Sequence, residues 1–172
     1  MDRDSLLTLY GYSAYANRLV LHTAAELSAE DFTRECSPSH GSIRGLVLHM
    51  LETQAFFLAR CGGYSFEDIF DPDHFPTATK IQDYWDNLEH ETCAFLTRLC
   101  DVDLERELVP FQRFPTMHFP MWQLLYQAFH HMTQHRGELS ILLTELGHPL
   151  PNLDIIVYFA QQSGQPWPWD NV

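Results

Sequence analysis

Positive charge is scarce in this chain. Its 172 residues carry 10 Lys and Arg against 23 Asp and Glu, a formal net charge of −13. A surface of that sign repels phosphate backbones and anionic headgroups, so neither nucleic-acid binding nor docking on an anionic membrane is expected. The acidity is spread over 26–35, 67–73, 83–91 and 101–107, which reads as solvated faces and loops rather than an acidic tail. Long apolar runs are also missing, and no stretch approaches the ~18–20 residues of a membrane span. The opening MDRDSLL is charged from its second residue and has no leader pattern. Cysteine pairs of the CxxC type do not occur; Cys36, Cys61, Cys93 and Cys100 read as free thiols, which suits a reducing cytoplasm. Repeats and low-complexity linkers are lacking too. At 20.0 kDa and 45% apolar residues, residues 1–172 are expected to form one domain with a core of its own.

Helical periodicity is abundant. Residues 4–27 predict a first helix, capped by Asp4 or Ser5, with Leu6, Leu9, Tyr10, Ser13, Val20, Leu21 and Ala24 on one face. Asn17 interrupts that face, either as a core-edge amide or as a pocket residue. Loop signals at 36–45 lead through Ser42 into a second helix over 42–61, ended by Gly62 and Gly63. A third helix is expected over 77–100 and a fourth over 120–146, with Pro120 in its first turn and Gly147 as its left-handed cap. Between them, 101–120 reads as a long crossover containing a short extended segment, kept short by Pro110, Pro115 and Pro120. A short helix over 152–161, capped by Asn152, precedes a Pro/Trp tail that is expected to pack on the body or meet a partner. This pattern predicts an all-α four-helix bundle.

The chemistry gathers on the fourth helix, in FHHMTQHRGELS. His131 and His135 are four residues apart and therefore share a helix face. Ten histidines in a chain of this length supply roughly 0.6 such pairs by chance, so the spacing alone is a weak signal. Position strengthens it: with about 100° per residue, Leu124, Ala128, Met132, Leu139 and Leu142 fall in the same sector. Two adjacent buried imidazoles need partners, because an unpaired buried polar group costs about 1–3 kcal/mol. A metal ion or hydrogen bonds within the core would each meet that need. His49, mid-helix on the inward side of the second helix, is the best candidate for a third ligand. His40, His74, His118 and His148 fall in loops or caps and read as surface residues; His22 and His90 read as solvated, and His130 points about 100° away from His131.

Three neutral imidazoles would leave a coordination position open, the pattern of catalytic metal sites. Zn is the default ion, with Ni, Fe or Mn as alternatives. Glu138, one turn beyond His135, is a candidate base or supporting partner. Arg60 shares the face of His49 and is a candidate for binding an anionic substrate. Arg136 lies at the edge of the inward sector and suggests a structural salt bridge.

Three segments, SAYANRLVLHTAAELSAEDF, GSIRGLVLHMLETQAFFLARCGG and HHMTQHRGELSILLTELGHPLPNLDII, resemble the opening helix, second helix and signature HxxxHRG helix of the DinB/YfiT-like family. The resemblance runs nearly end to end and implies an up-down-down-up four-helix bundle, usually a homodimer. It implies His49, His131 and His135 as the three ligands of a divalent ion. It also implies chemistry in which a low-molecular-weight thiol, such as bacillithiol or mycothiol, is a cosubstrate; relatives include thiol S-transferases and a mycothiol-dependent maleylpyruvate isomerase. Two positions depart from the family pattern, Gln134 for a frequent His and Glu138 for a frequent Gln, and both lie at the edge of the expected pocket. The reading is thus a metal-dependent enzyme that transfers a thiol to an electrophilic small molecule. The alternatives are a metal-dependent hydrolase or a non-catalytic metal- or ligand-binding stress protein.

Overall fold

The computed structural model describes residues 1–66 and 71–167. Residues 67–70 and 168–172, the latter including Trp169 of the Pro/Trp tail, lie outside the described residues. Four long helices carry the fold: α1 (Arg3–Ala24), α3 (Ile43–Gly62), α4 (Ala78–Arg98) and α6 (Met121–Glu145). Shorter ones are α2 (Ala29–Thr33), α5 (Asp101–Leu104) and α7 (Ile155–Gln162).

The helix ends follow from local chemistry. Asp2, ahead of the expected caps Asp4 and Ser5, closes the start of α1 by accepting from the Ser5 N–H at 2.8 Å. This leaves Asp4 in the first turn, where its charge meets the positive end of the helix dipole. The first helix stops at Ala24 rather than at 27, because Ser28 caps α2. Ser42 accepts from the Gly45 N–H at 3.0 Å to start α3, and Gly63, at φ 77°, ends it. The third long helix ends two residues before Cys100, whose N–H donates to the Asp103 carboxylate at 2.8 Å and so begins α5. Asn152 accepts from the Asp154 N–H at 2.8 Å; it forms a turn leading into α7, and Asp154 occupies the cap position.

The contacts fix the helix directions. Tyr10 donates to the Leu125 carbonyl and Arg136 to Asn17, so α1 and α6 run in parallel. Arg3 N–H reaches Asp101, and Asn17 reaches Glu89, which sets α4 antiparallel to α1. Phe57 and Cys61 of α3 share one apolar cluster with Met121 and Leu124 of α6, and Met50 shares the other with Met132, which sets α3 antiparallel to α6. The order is up-down-down-up. The 101–120 crossover contains the expected extended piece, but only a two-residue antiparallel ladder: β1 (Glu107–Leu108) on β2 (Phe119–Pro120).

Apolar side chains form two clusters. Leu21, Ile43, Leu46, Ile81, Trp85 and Leu143 belong to one, and Leu6, Phe57, Leu96, Met121 and Leu125 to the other. Each fully buried Leu contributes about 1.5–3 kcal/mol of burial free energy. Near the junction of the two sets lie buried or half-buried polar residues: Ser13 and Asn17 on α1, Gln54 on α3, Glu89 and Thr92 on α4, and His135 and Arg136 on α6. This polar belt positions the site.

Candidate metal centre

Helices α3 and α6 pack antiparallel and bring His49 against the His131–His135 pair. His131 Nε2 lies 2.8 Å from His49 Nε2 and 3.1 Å from His135 Nε2. A ring nitrogen has one in-plane position, holding either a proton or a lone pair, so His131 Nε2 cannot serve both neighbours well. One cation among the three nitrogens would satisfy all of them. Nitrogens bound tetrahedrally at about 2.0–2.1 Å lie about 3.3–3.4 Å apart, close to the spacing present here. The residues therefore fit a metal ion.

A fourth imidazole joins them. The His40 ring stacks on His49 with centroids 3.8 Å apart and a 21° tilt, and meets His135 edge-on at 5.2 Å. The ligand atoms of His40, His49 and His135 all lie within 4.8 Å of one another. His135 is 6% exposed, and His40, His49 and His131 are half-buried. Burial, reinforced by His40, His131 and His135, pushes His49 down to about 4. Burial and His135 also lower His131 and His40. Neutral rings with free lone pairs are the form that binds a cation.

Around the rings a second layer holds them. Burial pushes the Glu138 carboxyl up, but the Ser37 and Ser39 hydroxyls outweigh it, and the net shift is downward. Ser37 Oγ donates to Glu138 at 2.6 Å and Ser39 Oγ at 2.7 and 2.9 Å. Glu138 Oε2 also stands 3.6 Å from His135 Nδ1, a buried nitrogen that makes no hydrogen bond among the described residues. Ser39 Oγ lies 2.8 Å from His40 Nδ1.

The site opens into a cavity of about 470 Å³ lined by His49, Glu52, Thr53, Phe56, Phe57, Phe66, Phe111, Gln127 and His131. Four phenylalanines make its walls apolar, and two imidazoles of the cluster form part of its lining. Two larger clefts, of about 660 and 670 Å³, lie along α1–α4 and beside Tyr12 and Arg136. Neither is lined by any of the four clustered histidines.

The remaining sequence candidates are placed elsewhere. Asn17 is 2% exposed and sits in the polar belt, accepting from Arg136 Nη1 at 2.8 Å and donating to Glu89 Oε1 at 3.2 Å. Arg60 lies 5.1 Å over the Phe56 ring, and lines a separate cavity of about 340 Å³ with Tyr64, Val109 and Gln112. Gln134 is exposed. Among the described residues Arg136 makes no salt-bridge contact; its guanidinium bonds Ser13, Asn17 and Thr133, and it interacts with the Glu89 charge at longer range, with Asn17 bonded to both.

Sequence reasoning missed His40, Ser37 and Ser39. Loop residues have no helical phase, so the only available signal was a Ser- and His-rich turn directly preceding the helix that carries His49.

The fold and site define a four-helix bundle with a histidine cluster suited to a metal ion. The chain belongs to the DinB family, whose sequence profile matches residues 1–167. Its fold is similar to the crystal structure of a DinB-like protein, YjoA, from Bacillus subtilis, with a TM-score of 0.61 at 19% identity, covering 84% of this chain and 96% of that one. No curated protein matches the chain. Among the described residues, no helix is long and apolar enough to cross a membrane.

Proposed function

We propose that this protein is a metal-dependent enzyme that transfers a low-molecular-weight thiol to an electrophilic small molecule, with His49, His131 and His135 holding a divalent ion, Zn by default. The observation that carries this reading is the convergence of three imidazole nitrogens beside an aromatic-walled cavity. When bound, such an ion favours the thiolate over the thiol and so supplies a nucleophile at neutral pH. The thiol gives up its proton to solvent, its sulfur forms the bond to the electrophilic carbon, and the leaving group departs with its electron pair.

The chain's own residues do the rest. Phe56, Phe57, Phe66 and Phe111 exclude water and accept an apolar substrate body. Thr53, Glu52 and Gln127 supply the polar contacts that orient it. Glu138 acts through His135: its carboxylate favours a proton on Nδ1 and so directs the Nε2 lone pair into the cluster. Arg60 enters the reading only through its contact with Phe56 in the cavity wall, Gln134 only as an exposed residue beside His135 in sequence, and Asn17 as a support for α6. The free thiols of Cys36, Cys61, Cys93 and Cys100 suit a cytoplasmic setting, and a homodimer is the assembly we expect.

Metal analysis combined with a thiol panel tests the reading. The purified protein should hold about one ion per chain. It should conjugate a low-molecular-weight thiol to an activated electrophile, and His135→Ala should lose both properties. Turnover of an ester or amide without any thiol would instead identify a hydrolase. Full metal loading with no turnover of either panel would leave the non-catalytic binding role.

A further inference from the structure

We propose that His40 is a fourth ligand of the ion, so that the resting site is closed by four imidazoles. The inference rests on the metal centre proposed above and deepens it. His40 shares the cluster by geometry: its ligand atom lies within 4.8 Å of those of His49 and His135.

The loop that carries His40 is built to present it. Residues 36–41 close on themselves through a backbone bridge. Cys36 and Ser37 N–H groups donate to the Gly41 carbonyl at 2.8 and 3.1 Å, and Gly41 N–H returns to the Ser37 carbonyl at 3.0 Å. Gly41 adopts φ 77°, a conformation that favours glycine. The His40 N–H donates to Ser37 Oγ at 3.1 Å, and the two serine hydroxyls pin the loop to Glu138 on α6. Gly45 on α3 lets the His40 carbonyl come close, since a Cβ there would stand 2.2 Å from that oxygen. With Nδ1 engaged by Ser39, Nε2 is the nitrogen left for an ion.

Three of the four rings sit on packed helices, whereas His40 hangs on a loop held by hydrogen bonds. It is therefore the ligand that would give way to an incoming thiol: His49, His131 and His135 would keep hold of the ion, and the His40 imidazole would leave as a neutral base with its lone pair.

The test uses the full chain, loaded with Zn²⁺ in competition with a chromophoric chelator and, separately, with Co²⁺ for its visible spectrum. The His40→Ala variant should bind Zn²⁺ at least about tenfold more weakly than wild type. Its Co²⁺ spectrum should change from that of the parent, and X-ray absorption should count three imidazoles instead of four. Circular dichroism of the apo variant checks that it is folded, and Ser39→Ala, which keeps the imidazole but frees Nδ1, gives a second, smaller loss of affinity. Unchanged affinity, spectrum and imidazole count in His40→Ala overturn the fourth ligand while leaving the three-histidine site intact. Wild-type protein that takes up neither ion overturns the metal centre itself, a separate result.

Discussion

Two polar clusters share the middle of this bundle, and adjacent residues of one helix supply both. Arg136 turns into a layer where its guanidinium meets a hydroxyl on Ser13, an amide oxygen on Asn17 and a hydroxyl on Thr133. Gln54 extends that layer by accepting from Trp85 Nε1 at 2.8 Å and donating to Thr92 at 3.2 Å. His135, one residue earlier, turns into a cluster where imidazole meets imidazole. The first layer pairs donors with acceptors of complementary kind. The second crowds together groups of the same kind. Complementary partners make a scaffold; converging identical ligands call for something between them. The HRG segment thus divides its residues between the scaffold layer and the imidazole cluster.

This contrast is open to attack from both sides, and the largest effect is expected on the chemical side. Replacing His131 by Ala removes a ligand held on a packed helix and should weaken metal binding far more than His40→Ala does, while the apo protein stays folded, read by chelator competition and circular dichroism. A loss in His131→Ala no larger than that in His40→Ala would place the ion elsewhere. On the scaffold side, Arg136→Ala leaves Asn17 and Ser13 with unmet partners in a residue layer that is 1–2% exposed. It should cost about 3 kcal/mol or more in chemical denaturation, yet leave the metal content per folded chain unchanged. A variant of normal stability would show that the layer is not the support inferred here.

pH separates the two clusters further. His49 is pushed down to about 4 by burial and by its neighbouring imidazoles, below the ordinary value of 6.5. Between those values the unfolded chain binds more protons than the folded one. Apo stability is therefore full above about pH 6.5 and falls as pH drops towards about 4, with His131 and His40 acting in the same direction. Thermal midpoints of apo protein across this window should decline with acid, and His49→Ala should flatten the decline. An equal slope in the variant would assign the effect to other groups.

Smaller effects sharpen the second layer. Glu138→Gln weakens the hold on His135 and on the loop of Ser37 and Ser39, and should reduce metal affinity about tenfold with little change in apo stability. Gly45→Ala improves helix propensity by about 1 kcal/mol but pushes on the His40 carbonyl. Its metal affinity should fall even if its α3 helix is no less stable; an unchanged affinity would mean that the loop can shift without moving His40.

Much of this was legible in the sequence because it is written with a helical period. The inward faces of 42–61 and 120–146 placed His49, His131 and His135 in the apolar sector, and α3 and α6 pack so that those three nitrogens meet. Boundaries slipped by up to three residues where short capped turns, at Ser28 and Cys100, compete with continuation of the helix. What had no period could not be phased. The turn at Ser37–Gly41 looks like any polar surface loop until its backbone bridge and the Glu138 carboxylate fold it onto the cluster. Asn17 illustrates the opposite difficulty: its position on an apolar face was plain, but its partners, Arg136 and Glu89, lie 119 and 72 residues away and are joined to it only by tertiary packing.

The central claim is that the imidazole cluster is a metal centre. Elemental analysis of protein purified without chelators and then reconstituted with Zn²⁺ tests it most directly, alongside His135→Ala treated identically. The account predicts about one ion per wild-type chain and less than about 0.2 in the variant. Wild-type protein that stays below about 0.2 ion per chain after reconstitution would contradict it.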